Sequence, residues 1–519
     1  MIRPDNIKKV VLDGHDFTLE EFVGIARYNA KVSLGKKVIE KINKSRDYVE
    51  KIIDKNEVTY GITTGFGELA KVAVDIEKSD ELSTNLVLSH CVATGQPYSQ
   101  EQVRGMMILL CNNLSHGYSG CRLEVVEILI DMLNRNVIPL VPQKGSLGAS
   151  GDLAPLSHVG LVLLGKGKAY YEGKLYDGKK AMAKAGIKTV DCLVNKEGLA
   201  LTNGTHAMTS LAALNVYDAM RLEKLCDVSA AMSFSSLCGQ LNAYDEKIHK
   251  LRRQIGQLKV AQNMKLLTRG STLIKKAQGQ RVQDAYCLRC IPQVHGACRD
   301  AIEYVKAVVE KELNAVTDNP LIFVENDEVL SGGNFHGEPI ALAMDFLGVA
   351  VSEIASISER RIERMVNGTL SNGLTPFLTV DAGVNSGYMI VQYSAASMVS
   401  ENKVLAHPAS VDSIPSSGNQ EDFVSMGTTA ARKCSWIIQN SFSVIAFELL
   451  SACQAVDIRS NDKGAGLSEV LRNVYQFIRK DISFMNSDRE LRIDIEKIEE
   501  IIRDDELFNL ILDKCPKLQ

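Results

Sequence analysis

Proline is almost absent from two long parts of this chain. The sequence has only 12 prolines in 519 residues, and none lies between Pro155 and Pro292 or between Pro415 and Pro516. A proline inside a helix removes a hydrogen bond and clashes with the preceding turn, whereas turns and loops use proline often. The long proline-free stretches therefore favour long helices and argue against a loop-rich fold.

The clearest helical pattern spans residues 339–366. Pro339 suits the first turn of a helix, and Asn367-Gly368 suits its end. One apolar face is marked by Leu347, Val351, Ile354 and Ile357. The other faces carry small residues, namely Ala341, Ala343, Gly348, Ala350, Ala355 and Ser356. A helix with this pattern is predicted to be buried in a bundle with close neighbours.

The remaining periodic segments indicate a mainly α fold. Similar helical patterns occupy residues 153–164, 206–238, 384–405 and 427–455. Strand signals are short and few: "KVVLDG" near the start, and a hairpin at residues 168–178 that turns at Glu172-Gly173. We therefore predict that the chain has two parts. Residues 1–205 form an N-terminal part with both helices and strands, and residues 206–519 form a long-helix bundle with C-terminal helices.

Charge and cysteine usage exclude several classes of protein. The net charge is -4 with both signs interspersed, so no basic stripe predicts a nucleic acid or membrane partner. The N-terminus is too charged for a signal peptide, and no run of about 18 uncharged apolar residues occurs. The 12 cysteines are scattered, and the lone pair Cys287 and Cys290 has no second pair. We expect a soluble cytoplasmic protein with reduced thiols and no bound metal.

One segment, "GSLGASGDLAPLSH" at residues 145–158, has too little side chain for an ordinary core element. If the amide nitrogen of Gly151 attacks the carbonyl carbon of Ala149, a five-membered ring closes with loss of water. Loss of the Ser150 hydroxyl as a second water then leaves a methylene conjugated to an imidazolone, which is a strong electrophile. Such chemistry requires a tight, strained turn, which glycine and alanine permit. A plain turn that caps the next helix is the alternative explanation.

The wider sequence resembles the aromatic amino acid ammonia-lyases, which make 4-methylideneimidazol-5-one (MIO) from an Ala-Ser-Gly segment. The similarity covers roughly residues 10–500, in the family's order. Besides the segment above, the matching motifs are "YGITTGFG" (60–67), "NLVLSH" (85–90), "LTNGT" (201–205), "QDAYCLRCIPQV" (283–294), "TDNP" (317–320), "SGGNFHGEP" (331–339) and "SSGNQEDFVSMG" (416–427). The resemblance implies MIO at Ala149-Ser150-Gly151, a long-helix bundle of the fumarase/aspartase-like type, and a homotetramer with shared active sites.

The resemblance also implies roles for individual residues. Tyr60 would remove the β-proton of the substrate, which requires that its pKa be lowered from about 10, and its glycine-flanked loop could close as a lid. Arg289 would hold the substrate carboxylate through its planar fork, and Asn203 would donate to the same group. For these three residues the ordinary alternatives are packing, a surface ion pair and an Asn-Gly turn.

Four further residues complete the implied site. Gln283 and Tyr286 would line the pocket, and Phe335 would pack beside the MIO ring, although a hydrophobe that merely anchors its loop would look the same. Asp152 would assist ring formation by handling protons, or would simply cap a helix.

Two residues bear on which amino acid would be the substrate. The pair Ser89-His90 resembles the histidine branch of the family, and His90 could hydrogen-bond an imidazole nitrogen. Glu421, where phenylalanine-type members have glutamine, could pair with an imidazole N–H or take a proton from the ammonium group. A buried carboxylate would gain nothing from a benzyl ring. The resemblance therefore implies deamination of L-histidine to trans-urocanate and ammonia, the first step of histidine degradation.

Two departures from the histidine-type pattern keep other functions open. Phe423 stands where His is usual, and His206 follows "NGT" where Gln is usual. The alternatives are an MIO-dependent tyrosine ammonia-lyase, a tyrosine 2,3-aminomutase that adds the ammonia back, and an inactive helical scaffold. The intact Ala149-Ser150-Gly151 segment, Tyr60 and Arg289 argue against the scaffold.

Overall fold

A computed structural model of the chain describes residues 3–55, 57, 59–64, 79–460 and 464–519. The Cα positions divide the chain into two compact units. Unit 1 contains Met1–Tyr217, Lys306–Asp345 and Pro408–Arg432, and unit 2 contains Asp218–Val305, Phe346–His407 and Lys433–Gln519. The sequence-based division between residues 205 and 206 stays a prediction.

All the strands of the described residues lie in unit 1, in four small sheets. The strands are β1 (Lys9–Leu12), β2 (Lys31–Leu34), β3 (Thr94–Pro97), β4 (Ile138–Pro139), β5 (Pro142–Lys144), β6 (Lys168–Tyr171), β7 (Lys174–Asp177), β8 (Leu321–Phe323) and β9 (Glu328–Leu330). β1 pairs with β2 in parallel, whereas β3–β5, β4–β6–β7 and β8–β9 are antiparallel. The predicted hairpin at 168–178 is confirmed, and its turn residues Glu172 and Gly173 both have positive φ.

Helices make up most of the described chain. Unit 1 holds α1 (Leu19–Ala26), α2 (Lys36–Asp54), α3 (Ser79–His90), α4 (Gln100–Ser115), α5 (Leu123–Asn134), α6 (Leu153–Leu163), α7 (Gly178–Lys184) and α8 (Glu197–Thr202). The helices after residue 205 are α9 (His206–Ser236), α10 (Glu246–Arg252), α11 (Ile255–Thr268), α12 (Thr272–Ala277), α13 (Tyr286–Arg289), α14 (Ile291–Glu312), α15 (Glu338–Val366), α16 (Met389–Leu405), α17 (Gly427–Ser460), α18 (Glu469–Arg479), α19 (Leu491–Arg503) and α20 (Asp505–Lys514). Four of them, α9, α14, α15 and α17, contribute residues to both units.

The predicted long helices are present, so the mainly α prediction is confirmed. The patterns at 153–164, 206–238, 339–366 and 427–455 correspond to α6, α9, α15 and α17 within a few residues. The pattern at 384–405 was too long at its start, because α16 begins only at Met389. The preceding residues form a loop in which Gly387 has a φ of 58°, and the amides of Ser386 and Gly387 donate to the carboxylate of Asp488.

Helix α15 has the apolar face that its sequence predicts, and a second one. The four predicted face residues, Leu347, Val351, Ile354 and Ile357, are buried. Leu342, Phe346 and Val349 form another apolar stripe, and they are 46–54% exposed. By length and composition, α15 and α17 could each cross a membrane, but 67% and 89% of their most apolar windows are buried within the protein. Such burial is typical of core helices. In the exposed stripe on α15, the Phe346 ring meets the Tyr304 ring edge-on at 5.9 Å and still remains 47% exposed.

A buried carboxylate ties three long helices together within unit 2. Glu448 on α17 accepts hydrogen bonds from Nε and Nη2 of Arg361 on α15, at 2.6 and 2.9 Å. It also accepts from Ser233 on α9 and from Ser358 on α15, both at 2.6 Å. The Arg361 and Glu448 side chains are fully buried. The Arg361 charge and these hydrogen bonds outweigh desolvation and lower the pKa of Glu448.

We expect Arg361→Met to lower the free energy of unfolding by about 3–5 kcal/mol, since it leaves the Glu448 charge buried without its partner. Urea-unfolding midpoints would measure the loss. Arg492→Met is the control, because the Arg492–Glu496 pair is exposed on both sides and should contribute no more than about 1 kcal/mol. Equal effects of the two substitutions would contradict this assignment.

Candidate active site

The segment between β5 and α6 lies directly against the main chain of the "LTNGT" motif. Gly151 forms a parallel bridge with Gly204. The amide of Asp152 donates to the Gly204 carbonyl at 2.8 Å, and the amide of Gly204 donates to the Ser150 carbonyl at 3.2 Å. Gly151 has a φ of 73°, and a Cβ placed there would lie 2.1 Å from the Gly204 oxygen. Only glycine fits this position, which explains the small residues of the segment.

Asp152 occupies the N-cap position of α6, but its side chain makes no cap hydrogen bond to that helix. Its carboxylate instead accepts from the Met208 amide in the first turn of α9 at 2.7 Å, and from Ser146 Oγ at 2.8 Å. Thr428, at the start of α17, donates to it as well. Burial raises the pKa of Asp152, and these donors oppose the shift.

Three helices begin beside Ala149–Gly151. Helix α6 follows the segment directly, and the first turn of α9 meets the Asp152 carboxylate. The start of α17 is close as well, because the Met426 amide donates to the Leu147 carbonyl at 2.8 Å. A Cβ on Gly148 would lie 3.3 Å from the Gly427 nitrogen. The positive ends of helix dipoles favour negative charge, so this arrangement suits a group that is negatively charged.

Glu421 reaches the same segment from a distant part of the chain. Its Oε1 accepts a hydrogen bond from Ser150 Oγ at 2.9 Å, and its Oε2 accepts from Ser416 Oγ at 3.2 Å. Main-chain hydrogen bonds of 2.7 and 3.2 Å also join residues 416 and 421. The intervening residues 417–419 all have positive φ, between 49° and 69°. This strained turn holds the carboxylate against Ser150.

His90, the last residue of α3, lies within electrostatic range of Glu421. Burial lowers the pKa of His90, while the Glu421 charge opposes that shift. The lowered pKa favours the neutral form of the imidazole. Its Nδ1 lies 3.0 Å from Ser89 Oγ, and the ring also makes a hydrogen bond with the Leu86 main chain, which likewise opposes the lowering of the His90 pKa. The structure thus brings together His90, Ser150 and Glu421, which are far apart in the sequence.

Three more predicted residues lie in unit 1. Tyr60 is half-buried in the turn after α2, whereas Gly65 and Gly67 of its motif lie outside the described residues, as does most of the predicted lid. Asn203 is buried, and its Nδ2 donates to the Asn319 carbonyl at 3.2 Å. Phe335 is half-buried in the segment that precedes α15.

Gln283, Tyr286 and Arg289 belong to unit 2. Gln283 and Tyr286 are exposed, and the guanidinium carbon of Arg289 lies 4.6 Å from the centre of the Tyr286 ring. The Nε of Arg289 is buried, and no hydrogen-bond partner for it occurs among the described residues. A guanidinium that stacks on a ring and keeps an unpaired N–H suits a carboxylate ligand.

The two departures from the histidine-type pattern have distinct surroundings. The Phe423 ring stacks on the His336 ring at 6.0 Å, with 16° between the planes, and the Phe423 carbonyl lies 3.3 Å from His336 Nε2. His206 is 4% exposed, and neither ring nitrogen has a partner among the described residues. Burial lowers the pKa of His206 to about 4, although the charge of Asp318 opposes this shift.

Sequence reasoning missed the residues that hold the site residues in place. Ser416 and Thr428 contact Glu421 and Asp152, and Asn319 contacts Asn203. Each lies in or beside a motif that matched the family. The sequence signal for these residues is that they are polar, lie in or next to the matching motifs, and have no role in the implied reaction.

The chain matches the family of aromatic amino acid lyases over residues 17–480. It belongs to this family. Histidine ammonia-lyase 1 of Fusobacterium nucleatum is 50% identical over 514 residues, which cover 99% of each chain. Among solved structures, histidine ammonia-lyase from Trypanosoma cruzi is 37% identical with a TM-score of 0.90, covering 98% of this chain and 96% of that one. Tyrosine aminomutase from Streptomyces globisporus is 36% identical with a TM-score of 0.91, covering 97% and 98%.

The buried His206 predicts acid sensitivity. The pKa of His206 in the folded state, about 4, lies below its unfolded value of about 6.5, so the unfolded chain takes up the proton first as the pH falls. The free energy of unfolding is therefore unaffected by His206 above pH 6.5 and decreases between pH 6.5 and pH 4. When the pH is lowered from 7 to 4.5, the free energy of unfolding should decrease by about 2 kcal/mol less in His206→Gln than in the wild type. Urea-unfolding midpoints at both pH values would test this. Parallel losses in the two proteins would mean that His206 is protonated in the folded state.

Proposed function

We propose that this chain is a cytoplasmic ammonia-lyase that converts L-histidine into trans-urocanate and ammonia, the first step of histidine degradation. One observation carries the proposal: Ser150 Oγ lies 2.9 Å from Glu421, with His90 in electrostatic range of the same carboxylate. The source of the electrophile and two groups that suit an imidazole ring therefore share one place. The 50% identity to histidine ammonia-lyase 1 of Fusobacterium nucleatum supports the same substrate.

The residues present fit an MIO group formed from Ala149-Ser150-Gly151. Gly151 has the positive φ of a tight turn and a backbone contact that excludes any side chain. The Gly204 amide donates to the Ser150 carbonyl, and the buried Asp152 is close enough to handle protons during ring formation. When formed, the group supplies an electrophile that accepts the substrate's amino group.

The chain's own side chains would bind the substrate and move its protons. Tyr60 would take the β-proton. Arg289, with its buried unpaired Nε, and Asn203, whose amide keeps a second N–H, would bind the carboxylate. The pocket would be lined by Gln283, Tyr286 and Phe335.

Two residues would distinguish histidine from other aromatic amino acids. His90 would offer a ring nitrogen that hydrogen-bonds the imidazole of the substrate. Glu421 is held next to Ser150, where it can accept a proton from the ammonium group or pair with the imidazole N–H. Phe423 occupies the position where histidine-type members usually have His. Its ring stacks on the ring of His336.

We also propose a homotetramer with active sites shared between subunits. The exposed apolar stripe of α15, formed by Leu342, Phe346 and Val349, supports an interface between copies of the chain. A second copy would cover this stripe and remove apolar area from water.

Ser150→Ala should fold normally but lack the electrophile, because alanine has no hydroxyl to eliminate. Histidine turnover should fall by several orders of magnitude, the scale expected when a covalent catalyst is removed. Intact mass provides a second measurement: the wild type should be two waters lighter than its sequence, and the variant should not. Ser157→Ala, in the same motif, is the control, since among the described residues the Ser157 hydroxyl donates to the Leu153 carbonyl of its own helix and not to the site. Near-normal turnover by Ser150→Ala would refute the MIO proposal.

The wild type should strongly prefer histidine over phenylalanine. With phenylalanine bound, His90 and Glu421 would each lose a partner, at a cost of about 1–3 kcal/mol each. The double variant His90→Phe, Glu421→Gln should cut histidine turnover and narrow the preference. Product analysis with histidine, tyrosine and phenylalanine separates the alternatives. Faster turnover of tyrosine would contradict the histidine assignment, and a β-amino acid product would indicate an aminomutase.

A further inference from the structure

The segment Thr317–Pro320, "TDNP", has no role in the reaction proposed above, yet it contacts three segments that carry site residues. We propose that this segment is a positioning hub, and that Asn319 is the residue through which it sets the spacing between Asn203 and the Phe335 loop. The inference rests on the proposed function, because that function gives Asn203 and Phe335 their tasks. All of the contacts lie within unit 1.

Asn319 is buried and uses both its main chain and its side chain. Its carbonyl accepts from Asn203 Nδ2 at 3.2 Å. Its side-chain Oδ1 accepts from the Gly332 amide at 2.7 Å, and its Nδ2 donates to Ser331 Oγ at 3.1 Å. One residue therefore contacts the amide that would bind the carboxylate and the start of the loop that carries Phe335.

The neighbours of Asn319 extend the hub to two more places. Thr317 Oγ1 accepts from the Thr205 amide at 3.3 Å, which fixes the end of the "LTNGT" motif. The Pro320 ring packs on Gly61, next to Tyr60: a Cβ at Gly61 would lie 3.1 Å from Pro320 Cδ. The hub thus also limits where the Tyr60 turn can lie.

A buried ion pair anchors the hub. Lys196 Nζ lies 2.6 Å from Asp318 Oδ2, and both side chains are fully buried. The other oxygen of Asp318 accepts from the Asn319 amide at 2.6 Å. Lys196 is the residue before α8, and Asn203 is the residue after it. The hub therefore holds both ends of this short helix, which fixes Asn203 along the helix axis.

The contacts predict a specific kinetic pattern. The Asn319 side chain acts on the Phe335 loop, whereas its carbonyl, which no side-chain substitution removes, acts on Asn203. Loss of the side chain should therefore lower kcat, with little change in the KM for histidine, since the carbonyl contact to Asn203, the proposed carboxylate ligand, is kept. Substitution of a residue with a merely structural role would lower stability, but it would not lower kcat while leaving KM unchanged.

The test is Asn319→Ala, with kcat and KM measured for histidine. We expect kcat to fall about ten- to a hundredfold, as for two lost hydrogen bonds in a buried site, and KM to change less than about threefold. Asn319→Asp can still accept from the Gly332 amide, and its second oxygen can accept from the Ser331 hydroxyl in place of the lost donor, so it should recover part of kcat. Ser331→Ala removes one contact at an exposed residue and should lower kcat about three- to tenfold. It keeps the test usable if Asn319→Ala does not fold.

Asn314→Ala is the matched control. Like Asn319, Asn314 accepts from a main-chain amide through Oδ1, that of Phe17, and its Nδ2 donates to the carbonyls of Phe17 and Glu310. None of these hydrogen bonds involves the site segments. The variant should lose stability but keep kcat and KM within about twofold. Unchanged kcat in both Asn319→Ala and Ser331→Ala, or an equal kcat loss in Asn314→Ala, would overturn the hub.

Hydrogen exchange separates this inference from the proposed function. In Asn319→Ala, amides in peptides covering residues 331–337 should exchange at least about tenfold faster, whichever substrate the enzyme uses. Faster exchange together with a wild type that ignores histidine would overturn the substrate assignment alone. If exchange in Asn319→Ala is unchanged while the wild type does deaminate histidine, only the hub is overturned.

Discussion

The contact between the backbones of Gly151 and Gly204 is the constraint on which the rest of the site depends. Two hydrogen bonds join these strands of chain at a distance that admits no side chain on Gly151. Asn203 precedes Gly204, and α9 begins two residues after it, so the contact also fixes Asn203 and the amides that bind Asp152. A shift of this pair would move the Ala-Ser-Gly segment, the Asn203 side chain and a helix terminus together.

Three buried carboxylates in this protein are stabilised in different ways. Asp152 is surrounded by hydroxyls and a helix amide, and burial still raises its pKa. Glu448 has a bidentate arginine and two serines, and its pKa is lowered. Asp318 pairs with a lysine. The neutral donors around Asp152 offset only part of the cost of its burial, whereas the full countercharge of Arg361 outweighs that cost at Glu448.

The helices could be predicted because their signals are local. Proline spacing and apolar periodicity gave α9, α15 and α17, since a helix satisfies its own backbone within a few residues. The start of α16 could not be predicted, because Asp488, about a hundred residues later, binds the preceding loop. The candidate site follows the same rule. The motifs identified Ser150 and Glu421 separately, but their contact spans 271 residues. The Asp152 side chain hydrogen-bonds the first turn of α9 and does not cap α6, and this choice likewise depends on tertiary packing.

The separation of these segments along the chain has a consequence for biosynthesis. The turn at Ala149–Gly151 is held by Gly204 and, from far downstream, by Met426 and Thr428. On the proposed function, a nascent chain on the ribosome would lack these supports and would carry only ordinary alanine, serine and glycine. The reactive group would arise after release, inside a folded pocket. Cellular thiols and amines would then never meet it on an unfolded chain, and a misfolded molecule would remain chemically harmless.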